Sequence, residues 1–190
     1  MKLITLTLLL FFSIISFGQE IPKDPETGKY KYEEIIQVEG VSQTELFNKA
    51  NVFCHNYDKK TTEIYFKFDM NDQKKESIGV NANLSLENKT NLYFNIILKY
   101  YIKILFKDGR CKLIINDLKL DYTKNVPNND GTLAVHPVTG SATLEEGLPK
   151  SGLIGTKKIN EKLLIEVSEK LQKIISDIKS GIVHKEKDNW

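Results

Sequence analysis

Cysteine is almost missing from this chain: Cys54 and Cys111 are the two in 190 residues. Two thiols cannot build a four-cysteine metal site or a scaffold stapled by several disulfides. The three histidines, His55, His136 and His184, are far apart, and none has a second His or Cys at ligand spacing. No metal and no cofactor is therefore expected. No charge of one sign prevails either: 27 Lys and Arg face 25 Asp and Glu, a formal +2. That balance gives no global pull toward nucleic acid or an anionic membrane. Nucleophile signatures (G-x-S-x-G, S-x-x-K, a papain-like Cys setting) and a complete phosphate loop are also wanting. Beyond the first 18 residues no apolar run reaches the ~20 residues a spanning helix needs.

One apolar run is present, and it opens the chain. Lys2 precedes Leu3 to Phe17, which ends in Ser16, Gly18 and Gln19. A charged start, an apolar middle and a small-residue exit make a secretory signal peptide over residues 1–18. The protein is thus expected to be exported, periplasmic or secreted, after cleavage near Gly18. The remaining chain suits one domain over 19–182, with a frayed tail at 183–190. Export permits a disulfide between Cys54 and Cys111, while the apolar setting of Cys54 favours two buried free thiols.

Periodicity supplies the elements. Ile21 to Gly28 is a lead-in with turn chemistry. Tyr30 to Glu39 reads as a strand with Tyr32, Ile36 and Val38 on one face. After Gly40, Ser42 and Glu45 form a capping box and Val41 and Leu46 a hydrophobic staple. Leu46, Phe47, Ala50, Phe53, Cys54 and Tyr57 then recur at helical spacing. Strands follow at Glu63–Met70, with Ile64, Phe66, Phe68 and Met70 on one face, and at Ser77–Leu86, with Ile78, Val80, Ala82, Leu84 and Leu86 inward. Leu92–Lys107 and Arg110–Tyr122 are two longer strands.

Asp108-Gly109 joins the last two as a hairpin turn of a type that demands positive φ. It sets Lys107 opposite Arg110, Phe106 opposite Cys111, Ile104 opposite Leu113 and Ile102 opposite Ile115. The inward phase then jumps to Leu118, Leu120 and Tyr122, which predicts a β-bulge at Asn116-Asp117 with both side chains outward. Residues 125–156 read as one long loop, of a length that usually serves function. A final helix is expected from Lys157 to Ser180, stopped by Gly181. The whole is an α+β two-layer sandwich, β-α-β-β-β-β-α. Its mostly antiparallel curved sheet carries both helices on one face and leaves the other open.

The segments YEEIIQVEGVSQTELFNKA and YYIKILFKDGRCKLIINDL, in this order, resemble a secreted Bacteroidetes domain of unknown function, number 4468, whose fold is similar to that of the TATA-box-binding protein. The likeness runs from Pro22 to Tyr122 and extends, more loosely, to the last helix. Phe53 departs from it, standing where Trp would be expected. The resemblance implies the fold and export, and carries no catalytic residues. In the TATA-box-binding protein a similar open face binds DNA. Here export, the near-zero net charge and the lack of Phe wedges argue against nucleic acid.

The open face is the one constellation with chemical character. Tyr65, Lys67, Lys99, Tyr101, Lys103, Arg110, Lys112 and Asn116 alternate outward. Aromatic rings beside cations can stack on and pair with an acidic ligand or an envelope protein; a wet face whose lysines deter aggregation is the plainer reading. The expectation is an exported, non-enzymatic binding module. The alternative is a periplasmic hydrolase with its residues in the 125–156 loop and His136 as helper. The Asp69/Asp72 and Glu145/Glu146 pairs suit charged turns, His55 a solvated site, and Gly152 to Gly155 a loop leading into a helix start.

Overall fold

The computed structural model describes residues 21–60, 64–71, 76–86, 94–124, 137–148 and 157–183. Residues 1–18, read above as a signal peptide, lie outside them, as do Asp72, His136, His184, Gly152 to Gly155, residues 184–190 and the side chains of Ile64, Tyr65, Asp69, Met70 and Phe94. The elements are β1 (Tyr32–Gln37), α1 (Gln43–Lys60), β2 (Ile64–Asn71), β3 (Ser77–Leu86), β4 (Phe94–Lys107), β5 (Arg110–Lys124), β6 (Val138–Thr143) and α2 (Lys157–Val183).

All pairings are antiparallel, in the spatial order β1-β5-β4-β3-β2. β6 also pairs with β5. β1 runs along residues 110–115 of β5 and β6 along 119–124, so the two share the edge of β5 turned away from β4.

The hairpin register is the expected one at all four pairs. The left-handed angle falls on Gly109 alone (φ 72°), while Asp108 keeps a negative φ. The Asp108 carboxylate instead serves the start of α1, where its Oδ1 accepts the Gln43 N–H at 2.8 Å. The bulge is also where the sequence placed it. Tyr101 pairs with Asn116 and Lys99 with Lys119, and Asp117 takes φ 54°. Asp117 points outward, but Asn116 is half-buried and its Oδ1 is enclosed without a partner.

α1 starts as its capping signals require. Ser42 Oγ accepts the Glu45 N–H at 3.2 Å and Ser42 O the Leu46 N–H at 3.0 Å. Val41 and Leu46 are both buried. The inward side chains of β3, β4 and β5 form one core with the stripes of both helices. Phe47 meets Phe106 edge-on at 5.7 Å, and Tyr57 stacks on Phe66 at 5.2 Å. Cys54 and Cys111 are free and buried in this core.

Three expectations are corrected. The stretch 125–156 is not all loop, because its residues 138–143 form β6. The sequence VTGSAT has no apolar alternation to announce a strand; it is held by backbone pairing, and Tyr122 lies over Gly140 where a Cβ would collide with its hydroxyl. In β2 the strict alternation breaks between Phe68 and Met70, which pair with Val80 and Gly79.

The third concerns Gly181, which does not stop the last helix. α2 continues to Val183, with Ile182 buried. A Cβ at Gly181 would stand 2.2 Å from a ring carbon of Phe53. The glycine is a close-approach site between α1 and α2, tolerated despite its poor helix propensity.

Gly181→Ala is therefore expected to destabilise the protein. Helix propensity alone favours Ala by about 1 kcal/mol, but overpacking costs about 1–3 kcal/mol. Urea unfolding should show a net loss in the wild-type background and a gain when Phe53→Ala has removed the ring. An equal effect in both backgrounds would disprove the contact.

Candidate functional site

The helices cover one face of the sheet, and the side chains of the other form a lattice set by register. One row reads Lys67, Asn81, Tyr101, Asn116; the next reads Asn83, Lys99, Lys119. Three further rows run from β4 across β5 to β1: Lys103, Ile114, Glu33; Leu105, Lys112, Ile35; and Lys107, Arg110, Gln37. Neighbouring strands lie about 4.8 Å apart, so these pairs are in reach of one another.

Seven cations (Lys67, Lys99, Lys103, Lys107, Arg110, Lys112, Lys119) stand among the described outward positions of these strands, against the carboxylates Glu33, Asp117 and Asp121. A near-neutral chain therefore carries a locally basic face.

Two of the predicted cations are engaged. Lys112 pairs with Glu33, which also takes Lys31 at 2.9 Å. Lys99 pairs with Asp121. These contacts hold both carboxyls below their usual range: Lys112 and then Lys31 act on Glu33, and Lys99 and then Ser141 on Asp121. Lys67 and Arg110 are exposed; Tyr101 and Lys103 are half-buried and share one face of β4. Tyr65 pairs with Asn83 through its backbone position. The face is also apolar in patches, with Ile35 at 54% and Ile97 at 41% exposure.

The other candidates have structural roles. Glu145 Oε1 accepts the Tyr30 N–H at 2.5 Å. Glu146 Oε2 accepts the Thr143 N–H at 3.0 Å, and Thr143 Oγ1 accepts the Glu146 N–H at 3.3 Å. His55 is exposed and stacks on Phe68 at 4.2 Å. Burial raises both thiols, Cys54 to about 12 and Cys111 to about 11, which keeps them protonated and unreactive near neutrality. Among the described residues no group of three or more His, Cys, Asp or Glu is placed to hold a metal, and no helix is long and apolar enough to cross a membrane.

A second feature was not read from the sequence. Between β1 and α2 runs a cleft of about 420 Å³, lined by Tyr32, Glu34, Leu171, Ile175 and Lys179 among others. Lys179 Nζ reaches Glu34 Oε1 at 2.6 Å, and the Tyr32 hydroxyl donates to the same carboxylate. The signal was available: Glu34 sits at an inward position between Tyr32 and Ile36, where a carboxylate needs a partner. Burial works to raise Glu34, but the hydrogen bonds from Lys179 and Tyr32 and the lysine charge outweigh it and hold the carboxyl low.

A six-stranded antiparallel sheet with two helices on one face is a TBP-like α+β fold. Residues 32–121 match the family described as a domain of unknown function (DUF4468) with TBP-like fold. The chain is similar to a TBP-like protein from Parabacteroides distasonis, with 20% identity over 87% of this chain and 99% of that one, and a TM-score of 0.61. It is also similar to a DUF4468 family protein from Bacteroides ovatus, with 15% identity over 90% and 94% and a TM-score of 0.57. At these identities the likeness establishes the fold. No curated protein matches the sequence. The resemblance carried by the strand–helix start and the K-D-G-R hairpin holds, since both segments lie within the matched residues.

The Glu34 pair makes stability pH-dependent in a definite direction. A carboxyl held low in the folded state stabilises fully above its unfolded value, about 4.3, and that contribution is lost as pH falls through the folded value. Urea midpoints followed from about pH 7 to about pH 3 should fall further for the wild type than for Glu34→Gln. Parallel curves would mean that the pair contributes nothing.

Proposed function

We propose that this protein is an exported, non-enzymatic binding module, a single domain over 19–182, whose uncovered sheet face meets an acidic ligand or envelope partner. The observation that carries this reading is one-sided burial. Both helices lie on one side of the sheet, and the other side presents Tyr101 among Lys67, Lys103, Lys107 and Arg110. Tyr101, half-buried and in register between Asn81 and Asn116, adds an aromatic ring to that face. Cations on the same face supply charge-assisted hydrogen bonds, which are about twice as strong as neutral ones. Export rests on the N-terminal leader pattern, and the lack of a spanning helix among the described residues agrees with it.

The test is the double variant Tyr101→Ala with Lys103→Glu, checked for an unchanged urea midpoint. Affinity for partners cross-linked in the cell envelope should drop about tenfold or more. If every partner and ligand is retained, the face is only a solvated surface.

A further inference from the structure

The cations of the open face are strung along β4 rather than gathered at one point. Lys99, Lys103 and Lys107 lie four residues apart on the same side of the strand. At a rise of about 3.3 Å per residue, successive members stand about 13 Å apart. Two cross-strand pairs bring like charges together, Lys99 with Lys119 and Lys107 with Arg110. Like charges directly opposite one another destabilise a sheet. Asp121 offsets the first pair, whereas Arg110 meets only Gln37 on β1. Among the described residues no ion pair engages Lys67, Lys103, Lys107 or Arg110. A line of uncompensated cations suits an extended polyanion better than a single small anion.

Between these charges the face is made of amides and one ring. Asn81 and Asn116 are the register neighbours of Tyr101, and Asn83 lies in the next row beside Lys99. Asn81 is exposed and Asn83 half-buried. Among the described outward side chains of the sheet, Tyr101 is the one aromatic. An amide both donates and accepts, which matches a sugar hydroxyl, and a tyrosine ring joins an apolar plane to a polar tip. A single-stranded nucleic acid asks for several stacking rings. A lipid surface asks for a continuous apolar side, and a protein interface for an apolar centre. The large apolar side chains exposed on this face, Ile35 and Ile97, lie in rows eight residues apart along β4.

We propose that the open face binds an acidic polysaccharide, a chain of sugar units bearing carboxylate or sulfate groups, laid along β4. Its anionic groups meet Lys103, Lys107 and Arg110, and its hydroxyls meet the amides of Asn81 and Asn83 beside the Tyr101 ring. The proposal rests on the reading of the open face as a binding surface and names the class of ligand that the face takes. The cations supply charge-assisted bonds, while the amides and the ring separate a sugar chain from other polyanions.

The probes are polygalacturonate, dextran sulfate, neutral dextran and polyglutamate, titrated calorimetrically into the exported chain. At least one of the two acidic glycans should bind about tenfold or more tightly than polyglutamate, and neutral dextran should not bind. Which of the two binds assigns the anion as carboxylate or sulfate. Lys107→Gln with Arg110→Gln should weaken that glycan about tenfold or more and flatten its salt dependence. Tyr101→Ala should weaken it about tenfold with the charge unchanged. Asn81→Thr, at an exposed position and with good strand propensity, serves if the tyrosine variant folds poorly. Binding of polyglutamate through these cations, equal to or tighter than that of either glycan, overturns the proposal while leaving the face a binding surface for an acidic protein. Glycan binding that responds to the cations but ignores both Tyr101→Ala and Asn81→Thr also overturns it, as does a face that binds none of the four.

Discussion

Three hydrogen bonds at one corner organise this fold. Val38 N–H donates to Gly109 O, Gly109 N–H donates to Val41 O, and Gln43 N–H donates to Asp108 Oδ1. They join the β4–β5 turn to the chain as it leaves β1 and enters α1. The turn thereby closes the longest hairpin, ends the β1 ladder and supplies an acceptor to an N–H that the helix start leaves without an internal partner. Gly109 is suited to it because its φ of 72° aims both its N–H and its C=O at the neighbouring corner. The two segments that carried the family resemblance are the two that meet here.

From that corner the two described helices come to lie on one side of the sheet. α1 leaves it directly over the inward residues of β4 and β5, and α2 docks against α1. Tyr57 donates to Asp177 Oδ2 at 2.7 Å, and Gly181 admits the Phe53 ring. The Asp117 bulge keeps the buried side continuous. It shifts the phase of β5 by one residue, so that Leu118 and Leu120 stay inward after Ile115. It also marks where the outer edge of β5 passes from β1 to β6.

Much of this was legible because the signals were local. A two-residue Asp-Gly loop fixes register by geometry alone, and period-2 alternation leaves one assignment of faces. The bulge followed from the apolar phase jump between Ile115 and Leu118. What was not legible depended on contacts distant in sequence. Gly181 carries a stop signal that the ring of Phe53, 128 positions earlier, turns into a packing requirement. β6 is polar and short, and is held by the free edge of β5 rather than by its own pattern. Of the candidate site, the face and its neighbours could be read, but the pairing of Lys99 with Asp121 and of Lys112 with Glu33 could not. The groove needed α2 to be placed before it existed.

The ion pairs on the face bear on what it can do. Exposed pairs contribute little to stability, about 0–1 kcal/mol each, so Lys99 and Lys112 can exchange their carboxylates for a stronger acceptor at small cost. Lys67, Lys103, Lys107 and Arg110 trace a path across β2, β4 and β5 with Tyr101 along it. β1 belongs to both surfaces at once. Its odd-numbered side chains, Glu33, Ile35 and Gln37, stand on the basic face, and its even-numbered ones, Tyr32 and Glu34, stand in the groove. The pleat of a single strand thus sets part of the chemistry of the open face on one side and part of the groove lining on the other.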